Sequence, residues 1–412
     1  MFDTIKLENG VSIVMEKIES VRSVSLGIFI KNGSINETKE TNGISHFIEH
    51  MLFKGTNTRT SKDIAEEMDN IGGQLNAFTS KEYTCYYARV LDTHIDKAID
   101  VLTDMLFNSK FDEIDIEKEA KVIIEEINMY EDSPDDIVFT QMQQNVWGNT
   151  PLGYSVLGSK DNVANFKRQD FLDYINEKYV GENTVVAIAG SFDKENILKK
   201  IKEKMLAMPK GKQNLEANNK YPYIPSKTKL YKDIEQLHLA IGFKGISLNS
   251  KYNYSMSLLN TIIGGGMSSI LFQKVREEQG FAYSIYSYNS PYINNGLFNI
   301  YVGLNKMHLD KTINIIIDEI NKLKKDKINI DQIEKTKEQL KSNYIMGLES
   351  TSNRMSSIGR SKILINKIKT PDEIIKAVDL IKKEDIDYLI DNIFDISKMS
   401  LSLVGRVDDI KI

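Results

Sequence analysis

The sequence predicts an α+β protein made of two homologous α/β-sandwich halves, each a mixed or antiparallel sheet covered by helices on one face. Three observations carry this. Alternating apolar runs mark strands, matched segments recur at a nearly constant offset, and a Pro- and Gly-containing stretch cuts the 412-residue chain near its middle.

Val24, Leu26, Ile28 and Ile30 alternate with smaller or polar residues, the period of a strand. Leu237, Leu239, Ile241 and Phe243 repeat the pattern at an offset of 213. Thr184 to Gly190 reads as a strand closed by glycine, and Met399 to Gly405 matches it at an offset of 215. The helix-like segments Asp170 to Ile175 and Asp385 to Ile390 precede them at the same offset of 215. Such self-similarity argues for duplication of one domain. Pro209, Gly211, Pro222 and Pro225 punctuate the stretch from Met208 to Lys229. The expected division is 1–212, a linker 213–229, and 230–412.

With 41% hydrophobic residues the chain can bury two cores of ordinary size. A net charge of -5 leaves no electrostatic footprint for nucleic acid. The one cysteine, Cys85, rules out an internal disulfide, and its place in the strand-like run Tyr83 to Tyr87 points to a buried thiol. No uninterrupted apolar run reaches membrane-spanning length, and the first residues carry no charged-then-apolar leader. The expectation is a soluble cytoplasmic protein, with no nucleic-acid or membrane partner.

The segment from Gly43 to Gly55 reads as a short helix, with Gly55 placed to end it. His46, Glu49, His50 and Phe53 share an arc of about 100°. Phe47, Ile48, Met51 and Leu52 fill the rest, so the helix is apolar around most of its girth. Two histidines and a carboxylate on such a helix are expensive unless paired. A Zn²⁺ ion resolves the cost, because histidines at i and i+4 reach one ion. Glu49 then faces the open position, where it can handle protons. The competing reading is a pair of hydrogen-bonded core histidines beside a buried acid.

A catalytic zinc usually takes three protein ligands. The helix expected from about Asp115 to Asp132 offers the third. Glu119, Ile123, Glu126 and Tyr130 fall on one stripe, whereas Glu125 lies with Lys121 and Asn128 on the wet face. Periodicity therefore prefers Glu126 to Glu125 as ligand. Glu119 either orients a ligand or competes to be one. An ion pair unrelated to metal is the alternative.

Gly72 to Glu82 reads as a turn running into a strand that includes Asn76 and Ala77. In the second half no histidine lies near Leu259 to Thr261, the repeat-equivalent of His46. That half instead carries Gly264-Gly265-Gly266, followed by Arg276 and Tyr283. Without further information the glycines are a turn, Arg276 a solvated residue and Tyr283 part of a core.

The run from His46 to Thr56, with the tracts Glu125 to Asp136 and Thr150 to Gly158, resembles the pitrilysin/insulinase family of zinc metallopeptidases. The branch of bacterial and mitochondrial processing peptidases is the most similar, and the resemblance extends over essentially the whole chain. It implies a zinc endopeptidase of the inverted His-x-x-Glu-His type, binding one Zn²⁺ per chain through His46, His50 and Glu126. The family's third ligand stands 76 positions after the second histidine, which is Glu126 here. A further family glutamate falls on Glu119. By the same resemblance Asn76 and Ala77 contact an extended peptide through its backbone, and Arg276 and Tyr283 bind substrate and stabilise the oxyanion. Longer relatives enclose a chamber with four such domains, so a two-domain chain is expected to form a homodimer with a closed chamber. The family also includes catalytically silent structural or binding subunits. The intact set of His46, Glu49, His50, Glu119, Glu126, Arg276 and Tyr283 favours the enzyme.

Overall fold

The structure is a computed structural model, describing residues 2–211, 220–407 and 410. Residues 212–219, which hold the start of the expected linker, lie outside the described residues. The chain forms two compact units, one comprising Met1–Ile127, Tyr154–Ala217 and Met346–Thr370, the other Asn128–Gly153, Asn218–Ile345 and Pro371–Ile412.

The first unit holds strands β1 (Asp3–Lys6), β2 (Ser12–Lys17), β3 (Ser23–Ile30), β4 (Gln74–Thr79), β5 (Thr84–Leu91) and β6 (Thr184–Gly190). They form one six-stranded sheet in the order β1-β2-β6-β3-β5-β4. Strands β2 and β6 run parallel and the other neighbours antiparallel. Helices α1 (Ile44–Met51), α2 (Ser61–Asp69), α3 (Ile95–Asn108) and α4 (Glu113–Asp132) follow in sequence, with α4 running across the boundary between the units. Helix α5 (Pro134–Trp147) belongs to the second unit, while α6 (Lys160–Asn165), α7 (Arg168–Lys178) and α8 (Lys194–Met205) return to the first.

The second unit repeats the plan. Strands β7 (Lys227–Tyr231), β8 (Leu237–Lys244), β9 (Ala282–Pro291), β10 (Gly296–Leu304) and β11 (Ser400–Gly405) form a five-stranded sheet ordered β7-β11-β8-β10-β9. Here β7 and β11 are the parallel pair, as β2 and β6 are in the first sheet. The helices are α9 (Asn253–Gly264), α10 (Leu309–Asp326), α11 (Ile330–Gly347), α12 (Thr351–Ile365), α13 (Pro371–Asp379) and α14 (Lys383–Ile393), of which α12 lies in the first unit.

The alternation read from the sequence sets both cores. Val24, Leu26, Ile28 and Ile30 on β3 join Ile44, Phe47, Ile48 and Met51 of α1 in one apolar cluster. Leu237, Leu239, Ile241 and Phe243 on β8 do the same with Met256, Leu259 and Ile263 of α9. Cys85 is buried in β5, and desolvation holds its thiol well above the ordinary range.

The α+β architecture thus follows the expectation, with an addition on the second sheet face. Ser25, Gly27 and Phe29, the small or alternate positions of β3, lie under α12. Ser25 Oγ is 3.0 Å from Thr351 Oγ1, and Met355 packs at Gly27, where an added Cβ would stand 2.4 Å from its sulfur. In the second unit α5 repeats this, with Met142 against Gly242 and Gln141 accepting from Ser402 Oγ at 2.8 Å. Each unit therefore borrows one covering helix from the other half of the sequence. The small residues that look like a solvent face make room for a backbone to approach.

Candidate metal centre

Helix α1 is two turns long, and its start is fixed from outside. Its cap, Gly43, adopts φ +102° and sits so close to Gly158 that a Cβ would fall 2.8 Å from the Gly158 Cα. No side chain of the helix itself caps it; the fully buried Glu37 does so instead. Its Oε2 accepts from Gly43 N and Asn42 Nδ2 at 2.8 and 2.9 Å, and its Oε1 accepts from Ser45 N at 2.9 Å. A carboxylate there also complements the positive end of the helix. The helix ends at Met51, four residues before Gly55, whose φ of +119° serves the following turn.

One face of α1 is thereby locked into the core, and the opposite side carries His46, Glu49 and His50. Helix α4 buries Ile116, Glu119, Ile123 and Ile127 along one stripe. Glu126 is half-buried beside that stripe, while Glu125 is exposed. His46 Nε2 and His50 Nε2 lie 3.2 Å apart, and Glu126 Oε2 lies 3.7 and 3.5 Å from them. Ligands held at zinc distances around a tetrahedral ion would be separated by about 3.3–3.5 Å. The three atoms form a triangle of that size, within 4.8 Å of one another. His46 Nδ1 is buried and has no hydrogen-bond partner among the described residues, so the polar contacts of this imidazole lie on its Nε2 side.

The electrostatics also suit a cation. Glu49 and Glu119 join Glu126 around the imidazoles, and Lys54 Nζ contacts Glu119 Oε2 at 2.5 Å. Once His50 gives up its second proton, three carboxylates stand against this one ammonium, which suits a divalent ion. Burial, reinforced by the charge of His50, pushes His46 down to about 4. Burial also works against a charged His50, but hydrogen bonds to Glu119 and Glu126 outweigh it and hold this imidazole up at about 9. The carboxylates thus favour the charged form of His50, whereas burial favours neutral His46. Glu119 is buried yet stays below the usual carboxylate range, because His50 Nδ1 at 2.8 Å and Lys54 overcome its desolvation. Hydrogen bonding to His50 likewise lowers Glu126.

Glu49 has a partner of its own. Thr79 Oγ1, at the end of β4, donates to Glu49 Oε2 at 2.6 Å. Burial nevertheless raises the Glu49 carboxyl above its ordinary value, as suits a group that exchanges protons. Strand β4 is the outer strand of its sheet, and Asn76 and Ala77 lie on it. Ala77 N–H is held by Asn76 Oδ1 at 2.8 Å.

Arg276 and Tyr283 belong to the second unit, where they meet each other. Arg276 closes the wide π-type turn Phe272–Glu277, and Tyr283 stands on β9, the outer strand of the second sheet. The guanidinium sits 4.6 Å from the Phe272 ring and 5.1 Å from the Tyr283 ring. Tyr283 is 78% exposed, not a core residue. Thr79, Lys54 and Glu37 escape the sequence reading. Each is a single polar residue whose partner is distant in sequence, so no spacing announces it.

A two-sheet α+β chain with a His-His-Glu cluster of zinc dimensions points to the metallopeptidase class. Comparison with known proteins agrees. Residues 12–160 match the model of the insulinase family, peptidase family M16, and residues 165–340 match the M16 inactive domain. An uncharacterized zinc protease of Bacillus subtilis is 43% identical over 387 residues, covering 94% of each chain. Another, of Rickettsia felis, is 38% identical over 410 residues, covering 99% of this chain and 98% of its own. The chain belongs to the insulinase (M16) family. A Helicobacter pylori protease shares the fold with a TM-score of 0.89 at 20% identity, over 98% of this chain and 99% of its own. A chain of complex III2 from Candida albicans does so at 0.87 and 20%, over 100% and 97%. Among the described residues no helix is long and apolar enough to cross a membrane.

Proposed function

We propose that this chain is a cytoplasmic zinc endopeptidase that hydrolyses peptide bonds in unstructured peptides or presequence-like segments. The observation that carries the reading is the triangle of His46 Nε2, His50 Nε2 and Glu126 Oε2, which fits one Zn²⁺ per chain. A zinc ion held there supplies Lewis acidity toward a peptide carbonyl and makes water at the site more acidic.

The protein's own groups do the rest. Glu49, poised by burial and by Thr79, takes a proton from water on its carboxylate and returns it to the leaving amine. Glu119 orients His50 through Nδ1. The outer strand β4, with Asn76 and Ala77, receives an extended peptide through main-chain hydrogen bonds. Arg276 and Tyr283 hold the substrate and donate to the carbonyl oxygen as it gains charge. The ligand cluster lies in the first unit and this pair in the second, which supports a homodimer in which each subunit completes the other's site within a closed chamber.

A silent structural or binding subunit is the second reading, favoured by the match of residues 165–340 to the inactive-domain model. Peptidase assay of the purified chain, with its metal content measured, decides between them. Glu49→Gln is expected to keep its zinc and lose about 10²–10⁴ in kcat. Equal turnover by the zinc-loaded variant would remove Glu49 from the mechanism, and no turnover by the zinc-loaded wild type would favour the silent subunit.

A further inference from the structure

We propose that Lys54 is a positioning residue for the metal centre, acting through Glu119 on His50; the proposal rests on the zinc reading above. Lys54 lies in the turn that follows α1, where its N–H bonds Met51 O at 3.1 Å. Its side chain is only partly exposed and reaches across to α4, placing Nζ 2.5 Å from Glu119 Oε2. The other oxygen of the same carboxylate, Oε1, is 2.8 Å from His50 Nδ1.

The two contacts divide the labour of one carboxylate. A carboxylate can rotate about its terminal bond and offer either oxygen to a metal or to a ring N–H. Lys54 occupies one oxygen and fixes that rotation, so the other stays as acceptor for Nδ1–H. With one proton held at Nδ1, the proton that zinc displaces is the one on Nε2, and the Nε2 lone pair is then presented toward His46 and Glu126. Glu119 is 3% exposed and feels the Glu126 carboxylate across the site. Released from Lys54, the carboxylate keeps only its contact with His50 Nδ1 and can turn, either away from Nδ1 or toward the metal as a competing ligand.

Zinc affinity of the full chain tests this, with zinc alone as the probe in competition with a chromophoric chelator. Groups that orient a metal ligand are commonly worth about 10–100-fold in metal affinity, so Glu119→Gln should weaken binding by that order. Lys54→Met should weaken it about tenfold with the thermal midpoint of the metal-free protein unchanged, and Lys54→Arg should restore it to within about twofold. In the Glu119→Gln background, Lys54→Met should add nothing. A tenfold loss that persists without the Glu119 carboxylate would overturn the proposal, as would unchanged affinity in Lys54→Met. A wild-type chain that binds no zinc would instead overturn the metal reading itself. Should Lys54→Met lower the metal-free midpoint, Lys54→Gln at a temperature where both are folded gives the same comparison.

Discussion

Glu119 and Glu126 favour the doubly protonated, charged form of His50 while burial favours neutral His46, and that asymmetry makes metal binding a proton exchange. Zinc takes only neutral imidazole, so loading at neutral pH must expel the proton that Glu119 and Glu126 hold on His50. Because the imidazole sits at about 9 and its neighbour at about 4, one proton is at stake between those limits. Affinity should therefore rise about tenfold per pH unit from pH 6 to 8 and flatten near 9. Calorimetry in buffers of different ionisation enthalpy should find about one proton released per zinc, and a pH-independent affinity would contradict this charge state. The glutamates give a sharper contrast. Glu126→Gln removes a carboxylate oxygen 3.5 Å from His50 Nε2 and should lower zinc affinity steeply, whereas Glu125→Gln alters an exposed residue and should not. Equal zinc titrations of the two variants would defeat the ligand assignment. This distinction is legible in the sequence because helical period separates neighbours by about 100°. Lys54 and Thr79 are not legible in that way, since Lys54 finds its partner on another helix and Thr79 reaches Glu49 from the end of a strand.

At the level of elements, α1 depends on a residue outside it. Glu37 satisfies two backbone N–H groups at the start of a two-turn helix that carries three chemically important side chains. In Glu37→Gln, either orientation of the amide sets an NH₂ group against a donor, from Gly43 and Asn42 on one side or Ser45 on the other. The variant should lose about 1–3 kcal/mol of stability in denaturant unfolding, and wild-type stability would show that the helix start is held by other contacts. Strands β3 and β8 were readable because each turns a branched apolar face to one core. The second face was not. Ser25 and Gly27 are small enough to read as solvent-facing, and their value lies in letting Thr351 and Met355 of α12 come close. A residue chosen for what it leaves out gives no hydropathy signal.

On the scale of the whole molecule, the shared-site dimer predicts complementation. Chains inactivated by Glu49→Gln, mixed with chains inactivated by Tyr283→Phe and allowed to exchange, should regain activity in the hybrid. No recovery after demonstrated exchange would point to a site completed within one chain. The borrowed helices bear on how the chain is made. When the ribosome has released the residues up to β6, the first sheet has all its strands, but α12 is still some 160 residues away in the sequence. Until then Phe29 and its neighbours on β3 have no cover, while α5 is already outside and waits for β8 and β11. Nascent chains should therefore show late protection of β3, and the two sequence halves expressed as separate fragments should each be poorly soluble yet rescue one another when made together. What duplication supplied as two copies, the crossing of one helix each way has turned into a single heritable unit that cannot be cut at its linker without exposing both sheets.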